Sequence, residues 1–402
     1  MKSILIVSAG IMQVPAIKKA KELGLNVICT DKNPNAVGFK YCDVSIPIDS
    51  KDIKGHIDFV NKNKDTYNIK GAFAGSDVAI TVAAINEVLN VKTISTEVAK
   101  RSNNKWLMKQ SWLRDKVATP NSIHVTTLEE AIKAVKLIGL PCMVKSVDNA
   151  ASRGSKLIID INELEEAFKC ACEYSRTKTA LIEEYVSGKE YSVESILING
   201  DVKIISIAER HFAFLPYHIE VAHIDPIDVS EDKFIAIKNL VAHAAKSLGI
   251  YVGPAKSDII EDASGFKILE MPARLSGGFH SQYTTPISSG MEPIKAVMQL
   301  AIGEEVSKQY ITPQRKRYSM CAGIFPGPGK LVAIEGLQDA QNLEGVKEII
   351  CTKGPDDIIT EYRDNGDRFF WVITEGSTRD EAISNFELAK SKIKFVVESN
   401  KQ

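Results

Sequence analysis

Residues 255–278 read AKSDIIEDASGFKILEMPARLSGG, two apolar-rich runs on either side of an Asp-Ala-Ser-Gly turn cluster. That pattern predicts a β-hairpin. With Ala263-Ser264-Gly265 as a three-residue loop and Gly265 in its left-handed position, Glu261 faces Lys267, Ile260 faces Ile268, Ile259 faces Leu269 and Asp258 faces Glu270. The first pair is charge-complementary and the next two are apolar, which supports the register. The last pair sets two carboxylates opposite each other with Cβ atoms about 5 Å apart, a destabilising arrangement unless positive charge lies between them. Mg²⁺ answers this need, because it takes oxygen ligands and is held by one or two carboxylates plus phosphate oxygens. Arg274 follows Glu270 by one helical-turn length of sequence, and a guanidinium there suits a phosphate or a transition state developing negative charge. The hairpin alone leaves a second reading open, a solvated surface turn in which Arg274 merely balances Glu270.

The 402 residues are enough for two to three domains. Fifty Lys and Arg against 51 Asp and Glu give a formal net charge of -1, which supplies no electrostatic footprint for nucleic acid or a membrane surface. No apolar run approaches a membrane span, and the N-terminal Met-Lys-Ser-Ile-Leu-Ile-Val reads as a buried strand and not as a leader. Seven scattered Cys show no zinc spacing; thiols in a reducing cytosol account for them, so a cytoplasmic location is expected.

The chain opens as a βαβ unit: a strand over 3–9, a helix over 15–23, and a strand over 25–30 ending at Asp31. A dinucleotide fingerprint is not met, since Ser8-Ala9-Gly10-Ile11-Met12-Gln13 supplies one glycine where three are needed. GAFAGSD (71–77), a helix over 78–89 and VKTIS (91–95) extend a small doubly wound domain. Ser102 or Asn103 can cap a helix carrying Lys105. A helix over 127–138 leads to the strand Pro141–Lys145, and the polar loop 146–155 beside that lysine suits polyphosphate. Strands follow over 181–184, 190–198 and 202–208. The segment 209–228 reads as a substrate-facing loop carrying three of the seven His. A helix spans 233–248, another 286–302, and a linker 306–317. Five further strands and a helix over 378–398 complete a third unit.

Taken together, these residues resemble the ATP-grasp superfamily, in its carboxylate–amine ligase branch, alongside L-amino acid ligases, carbamoyl-phosphate-synthase-like proteins and purine-pathway synthetases. The motifs are N-N-K-W-L-M-K with Lys105, the strand PCMVK with Lys145, the hinge E-E-Y-V-S-G-K-E with Glu183, Glu184, Val186 and Glu190, the pair Asp258 and Glu270, and Arg274. The resemblance implies a mixed α/β and α+β fold. Residues 1–100 form an N-terminal doubly wound pre-ATP-grasp domain. Residues 101–305 form a two-lobed ATP-binding core, with lobes of about 101–180 and 181–305, and residues 306–402 a C-terminal α+β domain. It implies phosphate contacts from Lys105 and Lys145, adenine contacts from Glu183, Glu184 and Val186, and a ribose contact from Glu190. Asp258 and Glu270 would hold Mg²⁺, with Mn²⁺ as the alternative ion, and Arg274 would steady an acyl phosphate and tetrahedral intermediate. Two departures stand out. Pro272 replaces an asparagine that serves many members as a further metal ligand, and the loop 146–155 holds only Gly154.

The activity implied is ATP-dependent joining of a small-molecule carboxylate to an amine. Lys145 and Arg274 would be catalytic, and Arg153 would help screen the γ-phosphate. The substrate pocket is expected to use His211, Glu220, His223, Ser276 and His280, with Glu220 holding the amine. Small molecules are the expected partners, with no nucleic acid and no membrane, and a homodimer is compatible with the chain. The rivals are an ATP-grasp carboxylase or small-molecule kinase, and a non-catalytic ATP-binding module.

Overall fold

The computed structural model describes residues 1–398. Four parallel strands, β1 (Ser3–Val7), β2 (Asn26–Thr30), β3 (Val44–Ile46) and β4 (Ile69–Phe73), form the first sheet in the order β3-β2-β1-β4. All five residues of β1 are buried, as a central parallel strand covered on both faces requires. The sheet's fourth strand is β3; VKTIS is not a strand, and its Val-Lys-Thr-Ile instead leads into the helix Thr96–Ser102. Asp31 accepts hydrogen bonds from the Ala9 and Asn33 amides (both 2.9 Å), so its carboxylate ties local loops together.

The second sheet is antiparallel, with β5 (Ser122–Val125), β6 (Cys142–Ser146), β7 (Ser155–Ile158) and β8 (Ala180–Glu184) in the order β5-β8-β6-β7. The helix Leu128–Ile138 behind it begins at a reciprocal cap between Thr127 and Glu130. The helix Lys105–Arg114 is capped by Asn104, not by Ser102 or Asn103 as expected; the Asn104 side chain accepts from the Leu107 amide at 3.0 Å.

The remaining strands are β9 (Lys189–Ile198), β10 (Asp201–Ala213), β11 (Ile219–Asp225), β12 (Gly253–Asp262), β13 (Gly265–Glu270), β14 (Tyr318–Gly323), β15 (Gly329–Glu335), β16 (Val346–Cys351), β17 (Ile358–Ile359), β18 (Phe370–Gly376) and β19 (Lys394–Glu398). Eight of them make one sheet, β13-β12-β9-β10-β11-β14-β18-β16, and β17-β15-β19 make a small third one. The segment 209–228 is not a loop but most of a hairpin, β10 and β11, whose polar residues line a cleft and so lack the apolar look of strands. The helix predicted over 378–398 ends at Lys392, and Phe395 and Val397 alternate along β19 onto the core. The helix over 286–302 is broken by left-handed Gly290. β14 pairs with β11, so strands of the C-terminal third continue the large sheet.

The 255–278 stretch is a hairpin with a shorter turn than predicted. Asp262 pairs with Gly265, Glu261 with Phe266, Ile260 with Lys267 and Ile259 with Ile268. The Asp262 carboxylate tightens the turn by accepting from the Ser264 amide (2.7 Å) and hydroxyl (2.6 Å). A bulge at Leu269 then restores the expected facing of Asp258 and Glu270. Among the described residues no helix is long and apolar enough to cross a membrane.

Candidate functional site

Between the second sheet and the large sheet lies a cleft of about 870 Å³. Lys145, at the end of β6, and Lys109, one helical turn beyond Lys105, both reach Glu183 on β8; Lys109 Nζ lies 2.7 Å from Glu183 Oε2. Lys109 and Glu183 are almost wholly buried. Burial opposes the charge of all three groups. The two ammoniums nevertheless hold the Glu183 carboxyl below its usual range, and the carboxylate keeps Lys145 above its own. Breaking a buried pair strands its partners, at a cost of about 3–5 kcal/mol. Glu183→Gln should therefore destabilise the protein by that order in urea unfolding. A loss below about 0.5 kcal/mol, the usual effect of a surface substitution, would show the clamp to be dispensable.

The side chain of Glu184 points the other way, accepting from the Asn121 amide (3.1 Å) and side chain (3.0 Å). Both carboxylates of the hinge are thus engaged by protein, while Glu184, Tyr185 and Val186 line the cleft. Gly188 lets the hinge close on β12, since a Cβ there would stand 2.1 Å from the Glu261 carbonyl oxygen. Glu190 Oε1 lies 2.7 Å from His218 Nε2, and His218 stacks on Phe212 with centroids 4.1 Å apart.

Loop 147–154 covers one end of the cleft. Lys105 Nζ donates to the Asn149 carbonyl at 2.5 Å, and Arg153 Nε to the Ala150 carbonyl at 3.1 Å. Ala151 and Ser152 take the left-handed conformation (φ 63° and 59°) that glycine takes most easily. Asn365, from the C-terminal third, donates its amide to the Ala151 carbonyl at 2.9 Å.

At the other end, Asp258 and Glu270 face each other in a ring of cations. Arg210 Nη1 is 3.0 Å from Asp258 Oδ1; Lys256 contacts Asp258 and lies 3.7 Å from Glu270; Lys105 is 3.8 Å from Glu270. Burial, reinforced by Glu270, pushes the Asp258 carboxyl up to about 6 despite Arg210 and Lys256. Burial also opposes the charge of Glu270, but Lys105 and Lys256 outweigh it and hold this carboxyl well below the usual range. Asp258 Oδ1 is buried, and its contact with Arg210 Nη1 is an ion pair without hydrogen-bond alignment. Among the described residues no group of three or more His, Cys, Asp or Glu could hold a metal by itself. Two facing carboxylates fit a hard ion whose other ligands are phosphate and water. Pro272 adds no side-chain donor; its carbonyl accepts from the Lys256 and Arg274 amides (3.2 and 2.9 Å).

Arg274 pairs with Asp77, which follows β4, and donates through Nη1 to the Leu275 carbonyl at 2.9 Å. It borders a second cavity of about 1410 Å³, which also includes Asp258, Glu270, Glu220, His223, Ser276 and His280. Glu220 is held ionised against burial by Arg210, whose Nη2 is 2.9 Å away. His223 and His280 lie 5.2 Å apart, centroid to centroid. Burial and the neighbouring His280 bring His223 down to about 3, whereas Asp225, 3.5 Å from His280, raises His280 against its burial. The two imidazoles are therefore shifted in opposite directions, His223 toward its neutral form and His280 toward its protonated form. His211 is the exception among the expected substrate residues. Along β10, Arg210 and Phe212 face the cleft, so His211 between them faces away, 3.3 Å from Glu209.

Three site residues escaped the sequence reading, and each had a signal. Lys109 is four residues after Lys105 on one helix, hence on the same face. Lys256 is two before Asp258 on one strand. Arg210 was masked by reading 209–228 as a loop; strand alternation would have set it beside Phe212.

An ATP-grasp domain model matches residues 138–282, and a model described as L-amino acid ligase C-terminal domain 2 matches residues 323–398. Dapdiamide A synthase of Enterobacter agglomerans is 22% identical over 335 residues, 77% of this chain and 76% of that protein. The L-amino acid ligase from Bacillus licheniformis superposes with a TM-score of 0.85 at 21% identity, covering 99% of both chains. The biotin carboxylase domain of Hydrogenobacter thermophilus 2-oxoglutarate carboxylase, solved as a dimer with MgADP, ADP and bicarbonate, gives 0.77 at 18% identity, covering 98% of this chain and 91% of that one. Residues 138–282 of the chain are thus an ATP-grasp domain. The proteins it is similar to include a D-alanine–D-alanine ligase, 28% identical over 175 residues, besides the L-amino acid ligase above.

Proposed function

We propose that this enzyme joins the carboxylate of one small molecule to the amine of another through an acyl phosphate, releasing ADP and phosphate. One observation carries the reading: the cleft beside Lys145 and the second cavity share Asp258, Glu270 and Arg210 as a common wall. A phosphoryl donor in the first and an acceptor in the second would meet there, which is the positioning phosphoryl transfer needs. Residues 1–100, 101–305 and 306–402 would supply one wall of the second cavity, the nucleotide site and the opposite wall.

In this reading Lys105 and Lys145 bind phosphate oxygens, Arg153 screens the γ-phosphate, and Glu184 to Val186 bind adenine through backbone groups, with Glu183 acting through its lysines. Glu190 meets the ribose. Asp258 and Glu270 hold Mg²⁺, or Mn²⁺ in its place; the ion's contribution is neutralisation of phosphate charge. Glu220, a fixed anion, receives the amine as its ammonium. Arg274 steadies the acyl phosphate and the oxyanion formed on amine attack. Ser276, His223 and His280 line the acceptor side.

The test is phosphate release measured across a matrix of carboxylates and amines with Mg²⁺ and ATP. Release that requires both partners supports the ligase. Release that requires bicarbonate, or an acceptor alone, would replace it with a carboxylase or a kinase, and none at all would favour a nucleotide-binding module. Lys145→Ala should also weaken ATP binding about tenfold or more in calorimetry, because a charged hydrogen bond to phosphate is lost. Unchanged affinity would remove Lys145 from the phosphate site.

A further inference from the structure

The second cavity has two unlike ends. Asp77, Asp258, Glu270 and Glu220 bring carboxylates to it, each with a cation against it: Arg274, Arg210 and Lys256. Its C-terminal wall instead carries Arg368 and Trp371, on and just before β18. Arg368 donates through Nε to the Asn365 carbonyl (3.0 Å) and through Nη1 to the Glu220 carbonyl (2.9 Å). Both acceptors are neutral backbone oxygens. Among the described residues no carboxylate lies within 4.0 Å of its guanidinium, and the nearby Glu220 carboxylate is taken by Arg210. Trp371 lies under it, with the guanidinium carbon 5.9 Å from the ring, and the indole Nε1–H is buried without an acceptor.

A half-buried guanidinium with no acid within 4.0 Å and a buried, unpaired indole donor, on one wall of a cavity, leave hydrogen-bonding capacity that an acceptor would satisfy. The two carbonyls fix the plane of Arg368, so ligand binding need not order it. We propose that Arg368, with Trp371 beside it, forms a subsite for a substrate carboxylate other than the one activated at Asp258, Glu270 and Arg274. Arg368 is then a specificity-determining residue, selecting reactants that keep a free carboxylate through the reaction. This rests on the ligase reading only in taking the cavity as the place where substrates bind.

The test is a binding experiment that needs no turnover. The full chain, saturated with MgADP, is titrated with the twenty common L-amino acids and with their carboxamides. At least one acid should bind about tenfold or more tightly than its amide, the scale of a charge-assisted pair. Arg368→Gln should reduce that preference to about threefold or less with MgADP affinity unchanged, and Arg368→Lys should keep part of it. If Arg368→Gln does not fold, Trp371→Phe is read for a smaller drop in the same ratio. A wild-type protein that prefers no acid over its amide, or a variant that keeps the full preference, overturns the proposal. An Arg368-dependent preference in a protein that releases no phosphate with any pair would leave the subsite standing and sink the ligase reading.

Discussion

Glu270→Gln should abolish turnover, lowering it by about a thousandfold or more, while the protein keeps its fold. The magnitude follows from the several kcal/mol that a metal ion contributes to stabilising transferring phosphoryl charge. The fold should survive because the substitution is isosteric and removes one member of a like-charge pair, Asp258 and Glu270, at the end of a hairpin fixed by its other ladder pairs. Lys105 and Lys256 lose a neighbour, but Lys256 keeps Asp258 and Lys105 keeps the Asn149 carbonyl. A variant with wild-type turnover at limiting Mg²⁺ would show that Glu270 is not a metal ligand.

Arg274→Ala should leave ATP affinity nearly intact and lower the rate of amide formation by a factor on the order of a hundred or more. An arginine aimed at developing negative charge gains its interaction mainly in the transition state, so its loss appears in kcat. Lysine should rescue only in part, since a point charge lacks the paired N–H geometry. The structure adds a control, because Arg274 is held by Asp77 of the N-terminal third. Asp77→Asn breaks that ion pair and leaves the guanidinium in place, so it should cost far less than Arg274→Ala. If Arg274→Ala lowers the melting temperature while turnover per folded molecule stays at the wild-type level, Arg274 only joins the units.

Much of the site was legible because its chemistry sits at the ends of strongly patterned elements. PCMVK is an apolar strand closed by a lysine, and the carboxylate pair is set by a hairpin with an unmistakable turn. Even there the turn length was misread, and the pairing of Asp258 with Glu270 came out as expected only because the Leu269 bulge offsets the shorter turn. What sequence hid was strand character in polar segments. β10 and β11 carry Arg210, Glu220 and His223 into the cleft, and a strand that lines a binding site trades the apolar alternation by which strands are recognised for charge. The wall formed by Arg368 and Trp371 was invisible for another reason: it comes from a distant segment, and only the pairing of β14 with β11 and β18 brings it to the site.

The acyl phosphate is the centre of the account, and oxygen transfer tests it most directly. A reactive acid and amine pair is supplied with heavy oxygen in the acid's carboxylate, together with ATP and Mg²⁺, and the released phosphate is weighed by mass spectrometry. Attack of the carboxylate on the γ-phosphorus, followed by amine attack on the acyl carbon, breaks the carbon–oxygen bond and leaves one carboxylate oxygen on phosphate. Heavy phosphate should appear in step with amide and ADP. Amide formed with unlabelled phosphate would contradict it.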